Sequence, residues 1–187
     1  MLATFKPIVI SLLVLIVLGA LLFGHIINLN AQSSNFDTVF DTQFVFPKVN
    51  LSNYDLNTVN ITMLRGLCLG SCPAYYLEIH GDGKVIYRGH YYVKVTGERT
   101  SHIDPEKVRE LVKRFNDSDY FNFRDRYDQT RTTDLASVET SISIDEYFKS
   151  VYHYLGTFGV PEVQKLKELE SLIDNITNSA QWVKGQP

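Results

Sequence analysis

Residues 74–95 read "AYYLEIHGDGKVIYRGHYYVKV", and their period decides the fold. Tyr75, Leu77 and Ile79 alternate with Tyr76, Glu78 and His80, the two-residue repeat of a half-buried strand. Gly81-Asp82-Gly83 supplies residues that tolerate positive φ and is read as a tight hairpin turn. Val85 and Tyr87 start the return strand. A further strand or hairpin is predicted from Tyr91 to Ile103, with Gly97 at its turn. Upstream, "VNITMLR" (59–65) has the β-branched content of another strand.

Downstream the period changes. In "HIDPEKVRELVKRFNDSD" (102–119), Asp104 can cap the first helical N–H groups and Pro105 suits the first turn. Val108, Leu111, Val112 and Phe115 then fall at i, i+3, i+4 and i+7, one apolar helical face. The stretch "YFNFRDRYDQTRTTD" (120–134) is aromatic, then polar and loop-like. "ASVETSISIDEYFKSVYHYLG" (136–156) reads as a second hairpin turning near Asp145–Glu146. "VPEVQKLKELESLIDNITNS" (160–179) is an amphipathic helix whose stripe is Val163, Leu166, Leu169, Ile173 and Ile176, and Trp182 is expected as a terminal plug.

Strands, helix, strands, helix, joined by hairpin turns, define an α+β class. The predicted architecture is an antiparallel sheet of hairpins with two amphipathic helices packed on one face, preceded by one transmembrane helix. "GDGKVIYRG" is not a phosphate-binding loop, because a strand follows it where a helix N-terminus is required.

The transmembrane expectation comes from the other end of the chain. Residues 8–27, "IVISLLVLIVLGALLFGHII", contain no Asp, Glu, Lys or Arg. At 1.5 Å per residue they span ~30 Å, the thickness of a bilayer's hydrocarbon core. A cleaved signal peptide is the alternative, with secretion as its consequence, but its apolar region is usually only ~7–15 residues long. Lys6 precedes the span and the next basic residue is Lys48. The positive-inside rule then leaves the N-terminus in the cytoplasm and the globular domain outside, periplasmic or extracellular. The expected organisation is a cytoplasmic N-terminus at 1–7, a signal anchor at 8–27, an extracytoplasmic linker at 28–58, a globular domain at 59–183 and a tail at 184–187. Within the linker, "FDTQFVF" (40–46) is apolar enough to dock or to form a short strand.

The bulk composition excludes some classes. The chain has 187 residues, 44% hydrophobic and 21% charged, with a formal net charge of −3. That excludes wholesale disorder, and no basic stripe marks a nucleic-acid partner.

Both cysteines lie in "RGLCLGSCPAYY" (65–76). In an oxidising compartment the first reading is a structural disulfide between Cys68 and Cys72. Gly70 and Ser71 ease the bend, and Pro73 biases Cys72 toward extended backbone. A zinc site would need two further ligands from His80, His90, His102 and His153, none of which has a paired spacing. "CLGSCP" also matches the Cys-x-x-x-Cys-Pro pattern of Sco-type copper chaperones, with His153 as a possible third ligand. In that family, however, a helix follows the pair, and here a strand does. A redox-active dithiol generally uses two intervening residues at a helix N-terminus. A thiol-redox or copper-handling protein using the Cys-x-x-x-Cys-Pro pair therefore stands as the alternative function.

The chain also resembles a family of mostly bacterial domains of unknown function with an Arg-Gly-x-Cys-x-Gly-x-Cys-Pro-x-Tyr signature. Arg65, Gly66, Cys68, Gly70, Cys72, Pro73 and Tyr75 carry the resemblance. It continues through "TGERTSHIDPEKVRELVKRF" (96–115), "RDRYDQTRTTD" (124–134), including Thr133–Asp134, and "QWV" (181–183). It implies that the cysteine pair belongs to the domain, and it implies no activity.

Catalytic constellations are thin. Ser71 lacks a nucleophile-elbow context, and Asp125 and Asp128 have Arg124 and Arg126 as neighbours, which reads as surface ion pairing. No catalytic residue, metal or cofactor is assigned. Arg65, Tyr75 and Asp134 are the candidate binding residues, and a pocket gathering them would favour an enzyme. The expected function is a membrane-anchored, extracytoplasmic, non-catalytic binding or structural module with a disulfide-clipped loop, whose partner is an envelope protein or cell-surface component.

Overall fold

The structure is a computed structural model, and it describes residues 51–184 apart from Ser52 and Arg131. The expected anchor at 8–27, the N-terminus at 1–7, the apolar segment at 40–46 and most of the linker lie outside the described residues. Among the described residues no helix is long and apolar enough to cross a membrane.

A 3-10 turn at Leu56–Thr58 leads into β1 (Asn60–Arg65), β2 (Ala74–His80), β3 (Lys84–Tyr91) and β4 (Gly97–His102). Then come α1 (Pro105–Asp117), a second 3-10 turn (Tyr120–Asn122) and the two-residue strand β5 (Arg126–Tyr127). The chain continues through β6 (Ser137–Ile144), β7 (Tyr147–Tyr154), α2 (Pro161–Thr177) and the short α3 (Ala180–Val183). The strands form one seven-stranded sheet in the order β4-β3-β2-β1-β6-β7-β5. All neighbours are antiparallel except β5 and β7, which are parallel. The class is α+β, as the two hairpins require.

The alternation along residues 74–95 becomes one buried face. Ile61, Met63, Leu77, Ile79, Val85 and Tyr87 are fully buried, and register sets them side by side: Ile61 opposite Ile79, Met63 opposite Leu77, Leu77 opposite Tyr87. Ile142, Ile144 and Val151 extend the same face across β6 and β7. Each such side chain contributes about 1.5–3 kcal/mol of hydrophobic stabilisation relative to exposure. The helices supply the other half of the core. Asp104 accepts a hydrogen bond from the Glu106 amide at 2.9 Å and caps α1, whose Val108, Leu111, Val112 and Phe115 are all buried. In α2, Val163, Leu166, Leu169 and Ile173 are buried, whereas Ile176 packs only partly against the core.

The first hairpin turn needs its last glycine. Gly83 has φ +91°, and an added Cβ would stand 2.1 Å from the Ile103 carbonyl oxygen. A side chain there would meet both backbone strain and a steric clash.

Two local expectations are corrected. β3 runs on through Tyr91, so the turn to β4 is residues 92–96, and Gly97 is the first residue of β4. The cause is tertiary: the Lys94 and Val95 amides bond to the Val183 and Trp182 carbonyls at 3.0 and 2.9 Å, which pins the loop to the C-terminal turn. The stretch after α1 is also not simply a loop. Tyr120 packs edge-on against Phe115 with centroids 4.7 Å apart, and its hydroxyl bonds to Thr140. That contact draws residues 120–127 onto the sheet, where β5 pairs with β7.

Candidate functional site

The cysteine loop, residues 66–73, joins the end of β1 to the start of β2. Cys68 and Cys72 stand at disulfide-bonding distance with their Cα atoms 5.7 Å apart. The loop is docked on its neighbour in the sheet: the Gly66 amide bonds to the Ser137 carbonyl at 2.8 Å and the Leu69 amide to the Asp134 carbonyl at 3.0 Å. A Cβ at Gly66 would lie 2.7 Å from the Ser137 hydroxyl, so a side chain there would have to turn that hydroxyl aside.

Behind the loop lies a polar clamp. Arg65 and Tyr75 are cross-strand partners, the last aligned pair of the β1–β2 ladder. Both reach Asp174 near the C-terminal end of α2. Arg65 donates to its Oδ2 from Nη2 at 2.7 Å and from Nε at 3.1 Å. The Tyr75 hydroxyl and the Ser179 hydroxyl each donate to Oδ1 at 2.6 Å. Burial works against the Arg65 charge, but Asp174, Tyr75 and Glu170 together more than offset it, and the guanidinium pKa is raised. Burial first, and then the Asp174 carboxylate, push the Tyr75 hydroxyl well above the usual phenol range.

Of the three candidate binding residues, then, Arg65 and Tyr75 meet and Asp134 does not join them. Asp134 is exposed; its side chain accepts from the Thr133 hydroxyl at 3.1 Å, and its carbonyl holds the cysteine loop. An open groove of about 400 Å³ lies elsewhere, lined by Arg114, Gln164, Lys167 and Glu168, and contains none of the three.

Glu170, one helical turn before Asp174, is buried against His153, with Nδ1 and Oε1 2.7 Å apart. His153 is thus a core residue at 0% exposure. Among the described residues no group of three or more His, Cys, Asp or Glu side chains is placed to hold a metal ion. The acid pair in "RDRYD" divides: Asp128 pairs with Arg126, and Asp125 with Lys149.

Sequence reasoning missed Asp174, Ser179 and Glu170. A signal existed for Glu170, which falls four residues after Leu166 and seven after Val163, on the apolar stripe itself. Asp174 follows it by four. Ser179 carried no signal.

The clamp and core tyrosines set an alkaline limit. Burial also raises the Tyr120 pKa, with a further contribution from the Glu170 charge. A phenol whose folded pKa exceeds its unfolded value of about 10 stabilises fully below that pH, and the contribution is lost as pH rises above it. Stability should therefore fall above about pH 10 by about 1.4 kcal/mol per pH unit for each of Tyr75 and Tyr120. Urea unfolding by circular dichroism across that range checks it. A flat profile in the wild type, or an unchanged slope in Tyr120→Phe, would count against it.

The exposed apolar side chains are not scattered. Among the described residues nine large hydrophobics are exposed, and six of them, Leu64, Leu67, Leu69, Tyr91, Tyr92 and Leu135, lie at the disulfide end of the sheet. Leu69, at the loop's tip, is 82% exposed. Tyr92 has φ +53°, a strained backbone for an aromatic residue. Over residues 59–177, more than half of the chain, a family model described as a domain of unknown function (DUF6438) matches. A comparison with curated proteins found no match.

Proposed function

We propose, for a chain that belongs to the DUF6438 family of domains of unknown function, a non-catalytic docking module. The disulfide end of its sheet would bind a protein of the cell envelope. The single observation that carries this reading is that six exposed large apolar side chains, Leu64, Leu67, Leu69, Tyr91, Tyr92 and Leu135, lie at the disulfide end, or rim, of the sheet. Contiguous exposed apolar surface marks an interaction site, whereas isolated exposed leucines do not. Rigid display suits docking, because a loop held by a disulfide and by the Asp134 and Ser137 carbonyls loses little conformational entropy on binding. Residues 65–75, with their Arg-Gly-x-Cys-x-Gly-x-Cys-Pro-x-Tyr pattern, are in this reading the family's mark, and they build the rim's central loop.

The tether belongs to the same proposal. Residues 8–27 anchor the chain with the N-terminus in the cytoplasm, and the linker at 28–58 lifts the domain outside. The apolar length and the charge asymmetry of the first 48 residues support it. Cell fractionation with protease accessibility tests the topology; a domain found in the cytosol sinks it.

Docking is tested in intact cells with a photo-crosslinking amino acid at position 69 of the full chain, and at Phe148 toward the opposite end of β6–β7 as control. One discrete adduct at 69, lost when Leu67→Ser is added and absent at 148, is the expected result. Equal adducts at both positions, or none at 69, overturns it. Leu67→Ser should leave stability within about 0.5 kcal/mol, since the side chain is exposed.

A further inference from the structure

The clamp joins three distant parts of the chain, and the disulfide closes the loop from which two of them spring. Arg65 and Tyr75 stand at the end of the β1–β2 ladder, and the pairing of β2 with β3 is irregular between Ala74 and Tyr75. A terminal pair next to an irregularity is where a ladder frays first. Within the eight residues from Gly66 to Pro73 that join the two strands lies the Cys68–Cys72 link.

Asp174 carries the clamp further. It holds Ser179, which begins the turn into α3. From α3, Trp182 stacks on Tyr87 with centroids 4.8 Å apart, and Tyr87 in turn faces Tyr75 at 5.8 Å. The carbonyls of Trp182 and Val183 take the amides of Val95 and Lys94, and the Tyr87 hydroxyl donates to the Val95 carbonyl at 3.1 Å. The β3–β4 loop, with the strained Tyr92, is therefore pinned by the C-terminal turn. That turn is pinned by Asp174, and Asp174 by the two residues that bracket the disulfide loop.

We propose that the Cys68–Cys72 disulfide is a redox-sensitive fastener for the docked C-terminal turn. Closed, it keeps Arg65 and Tyr75 on Asp174. When a dithiol reductant opens it, the sulfur–sulfur bond breaks to two thiols, the reductant supplies two electrons and two protons, and it leaves as its own disulfide. The ladder end then frays, Asp174 loses its two sheet partners, and residues 178–183 release the β3–β4 loop. The consequence for docking, loss of the Tyr91–Tyr92 part of the rim, rests on the docking reading above; the fastener itself does not.

The test uses the full chain in detergent, oxidised or reduced by a dithiol. Trp182 is the single tryptophan of the chain, so its emission reports the turn directly. On reduction, its emission should shift to the red. The Lys94 and Val95 amides should exchange hydrogen roughly fivefold faster or more, while β6 amides stay protected. Tyr75→Phe in oxidised protein should produce the same acceleration with the disulfide intact. Unchanged Lys94 and Val95 exchange on reduction overturns the proposal, as does full protection in Tyr75→Phe. Loss of β6 protection on reduction overturns it too, because the link would then stabilise the whole domain and not the turn. Absence of an adduct at position 69 would overturn the docking reading alone and leave the exchange result standing.

Discussion

Glu170→Ala is expected to lower stability by about 3–5 kcal/mol, the largest effect of any single polar substitution in the described core. The His153 and Glu170 side chains are 1% and 3% exposed, and they meet at 2.7 Å between β7 and α2. Removing the carboxylate strands the imidazole: its Nε2 is already buried without a protein partner, and Nδ1 would lose its own. An unpartnered buried polar group costs its full desolvation, and the excised side chain leaves a cavity besides. Glu170 also bears on the clamp, since its charge adds to the field that raises the Arg65 pKa. Replacing both partners at once, as His153→Leu with Glu170→Leu, should cost much less than Glu170→Ala, because no group is then left stranded. Urea unfolding of the two variants makes the comparison. A loss under about 1 kcal/mol for Glu170→Ala would show that the pair contributes little.

Trp182→Ala should cost about 3–4 kcal/mol, although the residue lies near the end of the described chain. The indole is 8% exposed and stacked on the fully buried Tyr87. Its loss removes a large buried surface together with the aromatic contact, and the chain end can close only part of the gap. The effect should also be directional. Lys94 and Val95 depend on the carbonyls of Val183 and Trp182, so the β3–β4 loop should loosen before the sheet does. Trp182→Phe should recover roughly half of the loss by keeping a stacked ring. Denaturation followed by circular dichroism measures both variants. A Trp182→Ala protein as stable as the wild type would mean that α3 is an appendage and not part of the core.

Local pattern read the elements well because their causes are local. The period of residues 74–95, the glycines at 81 and 83 and the cap at Asp104 act within a few residues, and the structure places β2, β3 and α1 where they demand. The turn of the β3–β4 hairpin was misplaced because Gly97 was the nearest turn signal. The actual turn at 92–96 is held by Trp182 and Val183, some ninety residues away. The loop-like polar stretch gained the short strand β5 for the same kind of reason, a contact between Tyr120 and Thr140 that no local period encodes.

The site shows the division most clearly. The sequence alone determined that Arg65 and Tyr75 flank a cysteine loop between two strands, that Cys68 and Cys72 can close it, and that a helix with one apolar stripe follows the second hairpin. It also singled out Asp134, in another segment of the resemblance, as a candidate binding residue. Only the tertiary structure decided for Asp174. Register makes Arg65 and Tyr75 neighbours on the covered face, and the crossing of α2 over that face brings its fourth-from-last residue onto them. A carboxylate on a helix looks like any solvated charge until a helix crossing half-buries it against partners, and the crossing is set by the packing of the whole core.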